Sequence, residues 1–134
     1  MDAEPCIRGD FYAPAYGPTV LLKLVSTDAA QLLRDAFLRL AAGEPALRLY
    51  PHPSVSLEHV SRIDLRVVLT PPGKHFRRAG AAAFTWEATT GEWATLADLV
   101  QPFLQGEAGH QYLTSEVADD ALVTISFGED HPHL

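Results

Sequence analysis

The stretch TVLLKLVSTDAAQLLRDAFLRLAAG, residues 19–43, decides the fold class because it predicts a strand followed directly by a helix. Over residues 19–25 apolar side chains occupy both faces of an extended chain, which is typical of a central strand. Apolar residues then recur at helical spacing, behind N-cap candidates at residues 26–28 and ahead of Gly43, a favoured residue just after a helix. We therefore predict a strand over residues 19–25 and a helix over residues 27–42.

The second half of the chain predicts three further strands and a second helix. Apolar and polar residues alternate over residues 62–70 and again over residues 81–88, which predicts two strands joined by a long basic tip. Thr95 is a candidate N-cap for a helix that ends by Gly106. Residues 121–127 predict the last strand.

These elements predict an α+β fold: a mostly antiparallel sheet with two helices on one face, in the order β-α-β-β-α-β. This is the element order of ferredoxin-like folds, and a more irregular α+β sheet is the alternative. The long stretch between Gly43 and Arg62 predicts an extra strand or hairpin. Within it residues 46–50 indicate a short edge strand, which Pro51 and Pro53 interrupt because proline cannot donate to a strand ladder.

A chain of 134 residues with 47% hydrophobic residues fits one domain, residues 1–134. Proline and glycine are dense in residues 1–18, which predicts an irregular N-terminal segment with a short strand near Ile7. Residues 128–134 are expected to form a flexible tail. No internal sequence repeat is apparent.

Composition narrows the classes of partner. The formal net charge of −7 disfavours nucleic acid and suits a basic protein partner. Cys6 is the only cysteine, which excludes an intrachain disulfide. No apolar run approaches the roughly 20 residues that span a bilayer, and the acidic start is unlike a secretory signal, so no membrane partner and a cytoplasmic location are expected. The absence of asparagine and the excess of arginine over lysine are typical of GC-rich, bacterial-type coding.

The strict motifs of phosphate-binding loops, zinc proteases and serine hydrolases are absent, so the sequence predicts no cofactor and no metal, and it favours a protein that is not an enzyme. The candidates for acid–base chemistry are His110, Glu107 and Tyr112, because imidazole titrates near neutral pH and the glycine before His110 lets a ligand approach the backbone. The ordinary alternative is a structural loop. His131 and His133 in the tail are candidates for weak metal binding, and the alternative is a flexible polar terminus.

Two further sets of residues are candidates for binding. Six basic residues lie on or beside the hairpin tip and could grip a phosphate or carboxylate: Arg62, Arg66, Lys74, His75, Arg77 and Arg78. The alternative for this set is a solvated hairpin end. Four aromatic residues are candidates for a protein interface, because aromatic side chains are enriched at binding hot spots: Trp93, Phe11, Tyr12 and Tyr16. The alternative for these is packing in the core.

The favoured function is therefore a non-catalytic protein-binding domain, in the role of an inhibitor, an immunity-type protein or an adaptor, with another protein as its partner. The alternative is a small enzyme or anionic-ligand-binding domain that uses His110 and the basic tip, which requires these two segments to meet in a pocket. Self-association into a homodimer through open sheet edges is a third hypothesis.

Overall fold

The computed structural model describes residues 5–12, 17–115 and 119–128, which contain two helices and nine strands. The helices are α1, Thr27–Ala41, and α2, Thr90–Leu104. The strands are β1 (Ile7–Tyr12), β2 (Thr19–Leu24), β3 (Ala46–Tyr50), β4 (Val55–Glu58), β5 (Arg62–Val67), β6 (Phe76–Arg78), β7 (Ala83–Ala88), β8 (Gly109–Tyr112) and β9 (Leu122–Phe127). Neither helix has the length and apolar character that crossing a membrane would require.

The strands form two mixed sheets rather than the single, mostly antiparallel sheet that the sequence predicts. One sheet has the order β4-β1-β2-β9-β8 and the other the order β3-β5-β7-β6. Four neighbouring pairs are antiparallel, but β1 and β4, β2 and β9, and β5 and β7 are parallel. The α+β class is confirmed. The mostly antiparallel arrangement is wrong because the central strands pair in parallel across long separations, and the ferredoxin-like order is not confirmed.

The chain repeats one supersecondary pattern twice, although no sequence repeat is visible. In the first half β1 and β2 form a hairpin, α1 follows, and β3 and β5 form a second antiparallel pair. In the second half β6 and β7 form an antiparallel pair, α2 follows, and β8 and β9 form the next antiparallel pair. The halves exchange hairpins in the sense that the strand pairs of one half join those of the other: β2 of the first half pairs with β9 of the second, and β5 of the first half pairs with β7 of the second. Each sheet therefore contains strands from both halves of the chain, and β4 is the one addition to the pattern among the described strands.

The stretch between Gly43 and Arg62 contains two strands, which fits the extra strand or hairpin predicted there. They do not pair as a hairpin, because β3 joins one sheet and β4 the other. Residues 1–18, expected to be irregular apart from a short strand near Ile7, contain the six-residue strand β1. Beyond Gly128, the predicted flexible tail lies outside the described residues.

Capping residues fix the starts of both helices. The Ser26 side chain accepts a hydrogen bond from the backbone N–H of Ala29 at 3.3 Å, so α1 begins where the sequence predicts. The start predicted for α2 at Thr95 is wrong, because Thr89 is the N-cap and forms a capping box with Glu92. The Thr89 N–H donates to the Glu92 side chain at 2.9 Å, and the Glu92 N–H donates to the Thr89 hydroxyl at 3.2 Å.

The core is built where the two helices pack on each other and on both sheets. Its largest side chains form an aromatic cluster of Phe37, Phe76, Phe84, Trp86 and Trp93, with ring centroids 4.9–5.6 Å apart in contacting pairs. α1 contacts strands of both sheets, and Phe103 of α2 lies 6.3 Å from Phe127 of β9. The sequence predicts two helices on one face of a single sheet. In the structure the two helices instead pack on each other and contact both sheets.

Candidate functional site

The four-stranded sheet has β3 at one edge and β6 at the other, and β3 pairs with β5 and with no other described strand. Ala46 and Arg48 are exposed along this edge, whereas Leu49 is buried. The register shifts between Arg48 and Tyr50, and this irregularity ends the ladder before Pro51. An edge strand presents unpaired backbone groups to which another chain can add.

A cavity lies on each face of β3. On the side of α1 a cavity of about 410 Å³ has apolar walls that include Leu32, Leu47 and Leu49. On the opposite face a cavity of about 360 Å³ is lined by Ala46 and Arg48 of β3 together with side chains of β5. Side chains of a strand alternate between the two faces of its sheet, so a strand added beside β3 would direct successive side chains toward the two cavities.

Around the β3 edge, negative charge without a cationic partner lies on the side of α1. Arg48 donates to the Asp64 carboxylate at 2.9 Å, Arg62 forms an ion pair with the same carboxylate at 2.9 Å, and Arg39 is paired with Glu44 at 2.8 Å. By contrast, two carboxylates on α1 that line the larger cavity form no ion pair with any residue in the described ranges: Asp28 and Asp35. The site is therefore apolar at its floor and acidic along the α1 rim.

The structure brings together one residue from each of the two segments that the sequence singles out. Tyr112 and His75 line a single groove, which also has Trp86 among its lining residues and is here called the Trp86 groove. His110 lies on β8 with its ring centroid 5.6 Å from that of Tyr112, but neither His110 nor Glu107 is among the residues that line the groove. Tyr112 and His75 therefore meet in this groove, which His110, Glu107 and the arginine candidates do not line.

The hairpin predicted over residues 65–70 and 82–88 is wrong, because β5 and β7 pair in parallel and residues 76–78 of its predicted tip form β6, which pairs with β7. The basic residues of this segment are engaged with partners inside the protein. Lys74 pairs with Asp120 at 2.7 Å, His75 with Glu92 at 2.7 Å and Arg77 with Glu87 at 2.8 Å. The Arg78 guanidinium donates to the carbonyls of Gly80 and Ala81 and lies 5.1 Å from the ring centroid of Phe11. Arg62 pairs with Asp64, and Arg66 uses its backbone carbonyl to accept from the Trp93 indole. The four carboxylate pairs reduce the positive charge available to an anionic ligand, whereas the guanidinium groups of Arg66 and Arg78 pair with no carboxylate in the described ranges.

The acidic pair Asp119 and Asp120, which sequence reasoning missed, holds strand β6 in place. Asp119 Oδ1 accepts from the backbone N–H groups of His75 and Phe76 at 2.6 and 3.2 Å, and its Oδ2 accepts from Ser115 N–H at 2.8 Å. Asp120 accepts from Lys74 and from the Arg78 N–H. The bond from Lys74, followed by that from the Arg78 backbone, lowers the pKa of Asp120. No local signal marks this role, since the two residues read as a turn before the last strand.

The candidate interface aromatics do not form one surface in the described residues. Trp93 is fully buried, and its indole N–H donates to the Arg66 carbonyl at 3.1 Å. Phe11 and Tyr12 are half-buried on β1, with the Phe11 ring 5.0 Å from that of Phe84. Tyr16 lies outside the described residues, as do His131 and His133.

Three side chains on the edge of the five-stranded sheet could hold a metal ion. In the parallel pair of β1 and β4, Asp10 lies opposite Glu58, and His59 follows directly. The ligand atoms of these three residues all lie within 4.8 Å of one another. Carboxylates and imidazole are ordinary ligands for divalent metals. The His59 Nδ1 is already 2.6 Å from Asp10 Oδ1, so an ion pair accounts for the cluster without a metal.

The same ion pair predicts an unusual titration for His59. Its hydrogen bond to Asp10, and then the charge of that carboxylate, raise the pKa of His59 above its ordinary value of about 6.5. Because the folded pKa is the higher one, the pair adds stability below about pH 6.5 and loses it as the pH rises through the folded pKa. In an NMR titration of the histidine rings, the midpoint of His59 should exceed 6.5. Asp10→Asn should lower it and Asp64→Asn should not; a midpoint that Asp10→Asn leaves unchanged would contradict the assignment.

A scan against protein-family models gives no match for this chain, and neither do searches against curated proteins and against solved structures.

Proposed function

We propose that this protein is a non-catalytic protein-binding domain that accepts an extended, basic segment of another protein as an added strand beside β3. The observation that carries the proposal is the open edge of β3 with a cavity on each face. In strand addition, main-chain hydrogen bonds supply affinity and pockets for alternate side chains supply specificity. The β3 edge offers both parts of this mode of recognition.

The basic character of the partner segment follows from the charges. The chain has a formal net charge of −7, and Asp28 and Asp35 on the rim of the larger cavity are without a cationic partner in the described ranges. Lysine and arginine carry long apolar stems below a charged head. Such a side chain can cover the leucine walls of the cavity while its head reaches the two carboxylates. Opposite charges also speed association and select the register of the bound segment.

The anionic-ligand alternative has less support from the contacts. Lys74, His75 and Arg77 of the basic tip each pair with a carboxylate of the protein. An incoming phosphate or carboxylate would have to compete with these internal pairs. Binding of a strand at the β3 edge breaks no internal ion pair, because the backbone groups on the outer side of β3 are not paired with another described strand.

A photo-crosslinking residue placed at position 48, on the exposed edge of β3, tests the proposal in cells that make the protein. We expect crosslinks to a distinct protein from position 48 and none above background from position 69, where Leu69 is 99% exposed in a loop. The captured protein is then purified and titrated against the domain. Crosslinks only to a second copy of this chain would replace the proposal with a homodimer, and equal labelling from both positions would contradict it.

Charge reversal gives the matched comparison. Asp28→Lys together with Asp35→Lys should weaken binding of the purified partner by at least about tenfold, which corresponds to roughly 1.4 kcal/mol. The control is Asp98→Lys combined with Glu107→Lys, which changes the net charge equally at exposed positions away from β3. If both pairs weaken binding alike, the effect is one of overall charge and the α1 rim is not the contact.

A further inference from the structure

The face of the four-stranded sheet that is turned away from α1 has an excess of positive charge. It is formed by the residues that alternate with the buried side chains of the four strands, and it is here called the outer face. It carries four arginines and two carboxylates: Arg48, Arg62, Asp64, Arg66, Arg77 and Glu87. This local charge is opposite in sign to the formal net charge of the chain, which is −7.

Arg66 is the cation of the outer face that is available to a partner. The other three arginines pair with the two carboxylates at 2.8 or 2.9 Å. Arg66 is exposed, and its guanidinium forms no ion pair within residues 5–12, 17–115 and 119–128. The Arg66 carbonyl accepts from the Trp93 indole, which fixes the backbone at this position. A carboxylate brought by a partner would therefore meet a guanidinium that has no competing carboxylate within the protein.

The space between Arg66 and the open side of β3 is not filled by a side chain. Ala46 lies opposite Arg66 in the register of β3 and β5, and its side chain is only an exposed methyl group. The cavity of about 360 Å³ on the outer face is lined by Ala46, Leu47, Arg48, Asp64 and Arg66. Residues directly opposite each other on neighbouring strands have Cβ atoms about 5 Å apart. A glutamate on an added strand could therefore contact Arg48 as a direct neighbour and reach Arg66 over Ala46.

We propose that the partner segment carries one acidic residue between two basic ones, an inference that rests on strand addition beside β3. Alternate side chains of the segment point to opposite sides of the sheet. The two basic residues then face Asp28 and Asp35, and the acidic residue faces Arg48 and Arg66. The segment keeps the net positive charge that suits an acidic chain. A shift by one residue would bring like charges together on both sides, so the alternation also selects the register.

Three peptides that differ only at the central position test this pattern: acetyl-Val-Thr-Lys-Glu-Lys-Thr-Val-amide and the same peptide with glutamine or lysine in place of glutamate. Each peptide is titrated into the full-length ¹⁵N-labelled protein at low ionic strength, and the amide signals of residues 46–49 report strand addition. The glutamate peptide should bind at least about threefold more tightly than the glutamine peptide. Attraction to the net charge of the chain predicts the reverse order, because the glutamine peptide is the more positive of the two.

Charge reversal at Arg66 gives a second measurement. Arg66→Glu should abolish the preference for the glutamate peptide over the lysine peptide. Arg78→Glu changes the net charge equally, on β6 at the other edge of the sheet, and should retain that preference. If Arg66→Glu retains it as well, the inferred contact is wrong. Should Arg66→Glu fail to fold, the order of the three peptides on the unmodified protein decides alone.

The outcomes for the unmodified protein separate this inference from the proposed function. If the glutamine peptide shifts the amides of residues 46–49 and binds as tightly as the glutamate peptide, strand addition stands and the acidic position is overturned. If none of the three peptides shifts these amides up to its solubility limit, the inference is overturned together with strand addition beside β3.

Discussion

Replacing Gly9 with alanine is expected to lower the free energy of unfolding by about 3 kcal/mol or more. A Cβ at position 9 would lie 1.9 Å from the carbonyl oxygen of Leu21 and 3.0 Å from a methyl group of Leu57. The first contact is with the backbone of β2, a central strand of the five-stranded sheet, so relief requires β1 and β2 to separate. Glycine in a strand often marks such a close approach of two backbones.

Urea unfolding followed by tryptophan fluorescence measures this loss. Gly91→Ala is the matched control, because Gly91 lies exposed in the first turn of α2 with nothing within 4 Å of the added Cβ. Alanine has the higher helix propensity, so Gly91→Ala should raise stability by roughly 0.5–1 kcal/mol. The opposite signs of the two changes make the test specific. A loss below about 0.5 kcal/mol for Gly9→Ala would show that the strands approach less closely than described.

Replacing Asp119 with alanine is expected to lower the free energy of unfolding by about 2–4 kcal/mol. The substitution removes the acceptor for three backbone N–H groups, those of His75, Phe76 and Ser115. Phe76 is fully buried in the aromatic cluster, and β6 is only three residues long. A strand this short depends on contacts from outside its own ladder. The loss should therefore be concentrated at the edge that β6 forms.

Hydrogen exchange locates the effect, since the Phe76 amide should exchange faster in Asp119→Ala while amides in β2 change in proportion to global stability. Asp119→Asn retains one carbonyl oxygen and should lose about half as much stability. Asp98→Ala removes an exposed carboxylate from α2 and should change stability by less than about 0.5 kcal/mol. Equal losses for Asp119→Ala and Asp98→Ala would contradict the role of Asp119 in holding β6.

The elements that the sequence predicts well are those whose signals are local. The predicted helix over residues 27–42 is observed as Thr27–Ala41, because its cap, its apolar stripe and the glycine that ends it lie within one stretch. The strand predicted over residues 62–70 is observed as Arg62–Val67, since strict alternation marks its buried face. The predicted start of α2 is too late, because Gly91 reads as a break in the sequence, whereas the capping box at Thr89 begins the helix before it.

Pairing between strands could not be predicted in the same way. β2 pairs with β9, and nothing near β2 in the sequence specifies a partner about one hundred residues away. β6 and β8 are short and carry polar residues, so neither gives a period-2 signal long enough to detect. β6 depends instead on Asp119 and Asp120, which are distant in sequence.

In the candidate sites, too, local features are predicted from the sequence and contacts between distant segments are not. The edge character of β3 is predicted from residues 46–50 and the prolines that follow, but its cavities have walls from α1 and β5 that only the tertiary fold brings together. Tyr112 and His75 were singled out separately, and their shared groove depends on the pairing of β8 with β9. The Trp86 indole N–H has no hydrogen-bond partner among the described residues, whereas the Trp93 indole donates to the Arg66 carbonyl, and the sequence gives no signal of this difference.

The exchange of hairpins between the two halves has a consequence for how the chain is made. During synthesis β2 emerges about one hundred residues before its partner β9, whereas β5 precedes β7 by only about twenty, so the edge of β2 stays open for longer. Exposed strand edges of this kind promote association with other nascent chains. Because each sheet takes strands from both halves, we expect the five-stranded sheet to be completed only after β9 has been made.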